Sequence, residues 1–199
     1  IDDDLFIIDS TTFSLFNSVM RGAGTAKQNG KKKGGVKAHM MINAKHDLPA
    51  FVFISEAKEH DLTFLHQLKV PDNSTVLFDK AYTNYKQFAE WGNHGIRWVS
   101  RLKRDASVKV LVHRPVSEAA YDSGVRSDNY VELGRPSNRK KIPLIKARVV
   151  EFWDEEKQRM FQFVCNDYTS DPEVIADLYK RRWQIETLFK RIKQRYPLK

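Results

Sequence analysis

One cysteine, Cys165, stands in 199 residues, which excludes an internal disulfide and fits a reducing cytoplasm. It sits in Phe161-Gln162-Phe163-Val164-Cys165, the setting of a small buried core residue rather than a nucleophile. No apolar run is long enough to span a bilayer, and no signal peptide is visible. His39, His46, His60, His66, His94 and His113 lack zinc-ligand spacing and receive no role. Internal repeats are absent, and low complexity is confined to a glycine-lysine stretch. Acid is scarce in two places. Lys27, Lys31, Lys32, Lys33 and Lys37 cluster with no acid among them, and Tyr179 to Lys199 carries eight Lys or Arg with Glu186 as its one acid. The net charge of +9 and pI of about 9.6 call for an acidic partner, nucleic acid first, although ribosomal or membrane-surface roles fit the charge equally. A hydrophobic content of 41% suffices for one sizeable core and a small subdomain. The chain does not start with Met and stops just after a basic helix, as a fragment of a longer protein would.

Leu5-Phe6-Ile7-Ile8 reads as a buried strand ending at Asp9, although Asp9-Ser10-Thr11 also suits a capped turn. Val19 to Gly35, with five glycines, reads as a loop or partly ordered arm. Val36 to Asn43 and Ala50 to Ile54 form a strand pair around a turn at Lys45 to Pro49. Asp61 is a plausible cap for a helix through Leu62, Leu65 and Leu68. Thr75-Val76-Leu77-Phe78 is a second buried strand, ending at Asp79. A helix from about Asn84 to Trp91 and a strand from Ile96 to Leu102 follow. From Lys103 to about Asp167 helical periodicity disappears. Short β-type runs occupy Val108 to Val112, Tyr130 to Leu133, Ile145 to Phe152 and Met160 to Cys165, with a basic loop from Arg135 to Lys141. Ser170-Asp171-Pro172-Glu173 then starts a helix.

The stretch from Tyr179 to Lys193 contains no Gly or Pro and reads as one helix. Taking Tyr179 as zero and about 100° per residue, Arg182, Glu186 and Lys193 fall at roughly 300°, 340° and 320°, and Lys190 at roughly 20°. Leu178, Ile185, Leu188, Phe189 and Ile192 lie beside this stripe as an apolar face. A hydroxyl, three cations and a carboxylate therefore share the edge of the core. A solvated basic face is the plain alternative. Two strand-end aspartates and this Glu supply the oxygen donors that a hard cation such as magnesium needs. Two such ions about 4 Å apart activate an attacking hydroxyl and stabilise a leaving oxygen.

The spacing Tyr179-x2-Arg182-x3-Glu186-x6-Lys193, with Ile8-Asp9-Ser10-Thr11-Thr12 and Phe78-Asp79-Lys80-Ala81-Tyr82, resembles the catalytic blocks of DDE transposases of bacterial insertion sequences, in the subgroup that includes hairpin-forming enzymes. Lys80-Ala81 stands where related enzymes often have Arg-Gly, so the charge is kept. The resemblance implies an α/β, RNase H-like mixed sheet flanked by helices, with a β-rich insertion before the last catalytic helix. It implies a first part of the core at 1–102, the insertion at 103–167 and the Glu-bearing remainder at 168–199. Asp9, Asp79 and Glu186 would then bind Mg2+, with Mn2+ as substitute. Tyr179, Arg182, Lys190 and Lys193 would hold the DNA backbone, and Trp183 could stack on a displaced base. The implied partners are double-stranded DNA, both element ends and target, and a second copy of the chain, in a bacterial cytoplasm. An RNase H-like nuclease or resolvase, or a transposase-derived DNA-binding protein without chemistry, are the alternatives. Asp61 is the chief rival carboxylate, as a cap or accessory ligand.

Overall fold

The computed structural model describes residues 5–14, 26–28, 31–33, 35–65, 67–135 and 143–195. Asp2 to Asp4 and most of the basic loop after Arg135 lie outside them. The chain order is β1 (Leu5–Ser14), β2 (Ala26–Gln28), β3 (Lys31–Lys33), β4 (Gly35–Asn43), β5 (Leu48–Glu56), α1 (Asp61–Leu65), β6 (Thr75–Phe78), α2 (Tyr85–Asn93), β7 (Arg97–Arg101), β8 (Val108–Arg114), α3 (Glu118–Asp122), β9 (Val125–Leu133), β10 (Ile145–Asp154), β11 (Arg159–Cys165), α4 (Pro172–Arg181) and α5 (Trp183–Arg195).

A nine-stranded sheet runs β5-β4-β1-β6-β7-β11-β10-β9-β8, and β2 pairs with β3 separately. The parallel strands β1, β6 and β7 lie at its centre. Their apolar runs are buried on both faces, as parallel strands under helices must be. Side chains alternate between two cores. Phe6, Ile8, Val76, Phe78 and Trp98 pack with Phe64, Phe88 and Trp91 below α1 and α2. Leu5, Ile7, Leu77 and Val99 pack with Ile175, Tyr179, Ile185 and Phe189 of α4 and α5. The strands of the 103–167 segment extend the same sheet, because β11 pairs antiparallel with β7. Cys165 is fully buried, and burial pushes its thiol up to about 12.

Several local expectations need correction. The first strand does not end at Asp9. It runs on to Ser14, because β4 continues to pair with it there, while the parallel pairing with β6 stops at Ile8 opposite Phe78. The segment from Val19 to Gly35 is not wholly loop, since it contains the β2–β3 hairpin. The helix after Asp61 is only five residues long, and Asp61 is its first residue rather than a cap. Gln67 and Leu68 donate to carbonyls three residues back, so the chain tightens and leaves the helix before Pro71. The α2 helix does start from a capping Asn84, and Gly95 follows it at φ +68, where a Cβ would meet Asn73 Oδ1 at 2.4 Å. The stretch Tyr179 to Lys193 is two helices. They meet at Arg182, whose amide donates to the Tyr179 carbonyl three residues back.

A buried ion pair anchors the start of α4. Arg148, with no exposure, donates from Nε and Nη2 to Asp128 at 2.8 and 2.9 Å and from Nη1 to the Asp167 and Ser170 carbonyls. Asp167 in turn accepts from the amides of Thr169 and Ser170 and closes the turn before the helix.

Candidate active site

Period-two alternation places Asp9 two residues beyond Ile7, and Asp79 two beyond Leu77, on the face covered by α4 and α5. The last parallel pair, Ile8 with Phe78, sets the two aspartates side by side. Glu186 comes down from α5, held by the buried Ile185 and Phe189 on the same helix. Buried Arg182 then joins two of the three acids. Its Nη1 donates to Asp9 Oδ2 at 2.9 Å and its Nη2 to Glu186 Oε1. The third acid has its own cation: Arg101 Nη2 donates to Asp79 Oδ2 at 2.7 Å.

The electrostatics follow from this arrangement. Burial pushes the Asp9 carboxyl up to about 6; Arg182 and the Ser10 amide oppose the rise, and the charges of Asp79 and Glu186 add to it. Asp9 therefore feels both of the other acids. Asp79 goes the other way. Burial alone would raise it, but the hydrogen bonds from Arg101 and the Ala81 amide and the charges of Arg101 and Arg182 hold it below the ordinary carboxylate range. Among the described residues, no three His, Cys, Asp or Glu side chains ring a single metal position. The guanidinium of Arg182 lies between Asp9 and Glu186.

The basic residues divide. Lys190 and Lys193 are exposed and line a groove of about 440 Å³ with Asp9, Ser10, Thr11 and Glu186. Lys193 also extends its ammonium to 5.6 Å from the Phe13 ring. Tyr179 is buried against Phe163, and its hydroxyl lies near Arg182 and Arg101. Arg182 is 6% exposed and engaged with carboxylates rather than open to a backbone phosphate. Trp183 is 56% exposed, so it is not a core aromatic. It lines a separate cleft of about 730 Å³ with Phe152, Trp153 and Lys180, and the Lys157 ammonium sits 4.9 Å from its ring centre.

Asp61 lies apart from the three acids. It accepts from Ser10 Oγ at 2.9 Å and pairs with Lys37 at 3.4 Å, and Ser10 points to the opposite face from Asp9. Arg101 is the site residue that motif reading missed. The available signal was the alternation itself, since Arg101 follows Val99 by two, as Asp79 follows Leu77.

A mixed sheet with parallel central strands, acids beside the end of that parallel pairing and a third acid on a covering helix define an RNase H-like α/β protein. A chain in the synaptic complex of piggyBac transposase with hairpin DNA has the same fold, with a TM-score of 0.59 at 11% identity, covering 97% of this chain and 41% of that one. The family model for the transposase DDE domain matches residues 1–198, and the chain belongs to that family. Similar proteins include one of Sinorhizobium fredii named as a transposase, 29% identical over 96% of this chain and 51% of its own length. Another, of Geobacillus stearothermophilus and named as an insertion-sequence transposase, is 28% identical over 96% of this chain and 48% of its own. The chain thus spans about half the length of the curated relatives it matches.

Proposed function

We propose that this chain is the catalytic part of a DNA transposase that cleaves DNA at an insertion-sequence end and joins the freed 3′ end to target DNA. The observation that carries the reading is geometric: the Arg182 guanidinium joins Asp9 to Glu186, and the β1–β6 pairing ends with Asp79 next to Asp9. Asp9, Asp79 and Glu186 would hold Mg2+ or Mn2+. Their donors are hard oxygens, and two of them already share a cationic group, which supports the fit. When bound, the metal supplies Lewis-acid stabilisation of charge at the phosphorus and its leaving oxygen.

The chain's own residues do the rest. Lys190 and Lys193 flank the acids in the groove and would seat the phosphate backbone there as point charges. Trp183, exposed beneath the Lys157 ammonium, offers an aromatic face to a base. Asp79, kept ionised by Arg101, remains an acceptor at neutral pH. The partners in this reading are duplex DNA and a second copy of the chain, since two ends must be cut together, and the setting is the bacterial cytoplasm. The segments 1–102, 103–167 and 168–199 serve as core, insertion and core completion. Among the described residues no helix is long and apolar enough to cross a membrane.

The test is Asp79→Ala in the full-length transposase. Cleavage and strand transfer of a labelled element end fall below detection, while the circular dichroism spectrum is unchanged. Retained strand transfer would remove Asp79 from the site.

A further inference from the structure

Each acid of the site is matched to an internal arginine. Arg182 bridges Asp9 and Glu186, and Arg101 holds Asp79. Three carboxylates thus share two guanidiniums. Neither arginine is a loose surface group: Arg182 is buried and Arg101 is half-buried. Each keeps its Nε buried with no hydrogen-bond partner among the described residues, so neither guanidinium has all its donors satisfied where it now lies. A divalent ion reaching the carboxylates meets these cations first. It must take oxygen atoms that the guanidiniums now hold, against their positive charge.

From this geometry we propose that Arg182 and Arg101 are stand-in cations that hold the acids in place in the metal-free protein and couple metal loading to DNA binding. A backbone phosphate seated in the groove beside Asp9 and Glu186 competes with the carboxylates for the guanidiniums, and Arg182 must turn out of its buried place to reach it, a contact that suits Arg by its paired donors. The carboxylates are then released to the metal. By linkage, whatever DNA does for the metal, the metal does equally for DNA. Free protein would therefore load metal weakly, and cutting would wait for the substrate. The inference rests on the reading of Asp9, Asp79 and Glu186 as the metal-binding acids and deepens it by adding a control on that site.

The experiment measures Mn2+ binding to metal-free protein from the free-ion electron paramagnetic resonance signal, with no activity readout. Arg182→Gln binds Mn2+ at least tenfold more tightly than wild type. Arg182→Lys lies between them, because an ammonium keeps the charge but cannot bridge two carboxylates in the same way. Arg101→Gln tightens binding in the same direction, and serves with Arg182→Lys if Arg182→Gln does not fold by circular dichroism. Adding a short random-sequence DNA duplex tightens Mn2+ binding to wild type but not to Arg182→Gln. Mn2+ binding as weak in the arginine variants as in wild type overturns the proposal, as does equal tightening by DNA in both. The underlying reading fails separately, if Asp9→Asn and Asp79→Asn leave wild-type Mn2+ binding unaltered.

Discussion

Asp9 and Asp79 are neighbours with opposite protonation tendencies, and the difference lies in their partners. Asp79 receives a close guanidinium of its own and one further donor, the Ala81 amide, whereas Asp9 shares Arg182 with Glu186 under deeper cover. The consequence for stability has a definite sign. A carboxyl raised from 3.8 to about 6 binds more protons in the folded than in the unfolded state between those values. Its contribution is fully present below about pH 4 and is lost as pH rises through 6. At pH 7.5 the loss amounts to about 3 kcal/mol at most, taking 1.36 kcal/mol per unit. Asp9→Asn, a mimic of the neutral form, therefore raises the melting temperature of metal-free protein at pH 7.5, and the gap to wild type closes near pH 4. Thermal unfolding in chelator at both pH values checks this. A variant less stable than wild type at pH 7.5 would show that the Arg182 pair outweighs the burial of Asp9. The acids themselves were readable from motif spacing. The pairing of acids to arginines was not, because Arg101 and Arg182 meet their partners only across strands or at a helix junction.

The elements carry the site by alternation and by anchoring. Strands β1 and β6 deliver their acids to one face, and α4 and α5 must pack closely over it for Arg182 to reach Asp9. Arg148 ties the turn before α4 to the sheet. Replacing it with Met leaves Asp128 buried with Arg114 as its remaining partner and two carbonyls without their donor. Breaking such a pair costs about 3 kcal/mol or more. Urea unfolding reads the loss, and Asp128→Asn added to Arg148→Met recovers part of it, because the uncompensated charge is gone. A double variant no better than the single one would place the cost in the lost carbonyl contacts. The apolar runs of β1, β6 and β7 and the start of α2 near Asn84 were legible because local pattern and burial agree there. The break at Arg182 was not, since the composition of Tyr179 to Lys193 favours one unbroken helix. Packing the apolar sides of both helices on the sheet and the reach of the Arg182 guanidinium to Asp9 overrode that preference.

At the scale of the whole molecule, charge and sheet act together. The excess of +9 gives long-range attraction to any polyanion, and Lys190 and Lys193 add to it in the groove beside the acids. Lys193→Ala should weaken binding of duplex DNA of any sequence and lower the slope of log affinity against log salt by about one. Fluorescence anisotropy across a salt series measures it, and an unchanged slope would take Lys193 off the backbone. The sheet shows why the β-rich run from Val108 onward was legible as strands but not as a place in the fold. Its pairing of β11 with β7 joins residues more than sixty positions apart, as Val99 and Cys165 illustrate, and no local pattern encodes that choice.

The chain's linear order carried the family resemblance and the apolar runs of its central strands, and it singled out Asp9, Asp79 and Glu186 as candidates, because these depend on spacing and side-chain chemistry within short windows. Tertiary structure alone decided that the acids sit beside one another, that two arginines stand among them and that Tyr179 and Arg182 turn inward. Those outcomes depend on strand register and helix docking, where burial must be balanced among groups distant along the chain, and the balance exists only once the sheet has closed against α4 and α5.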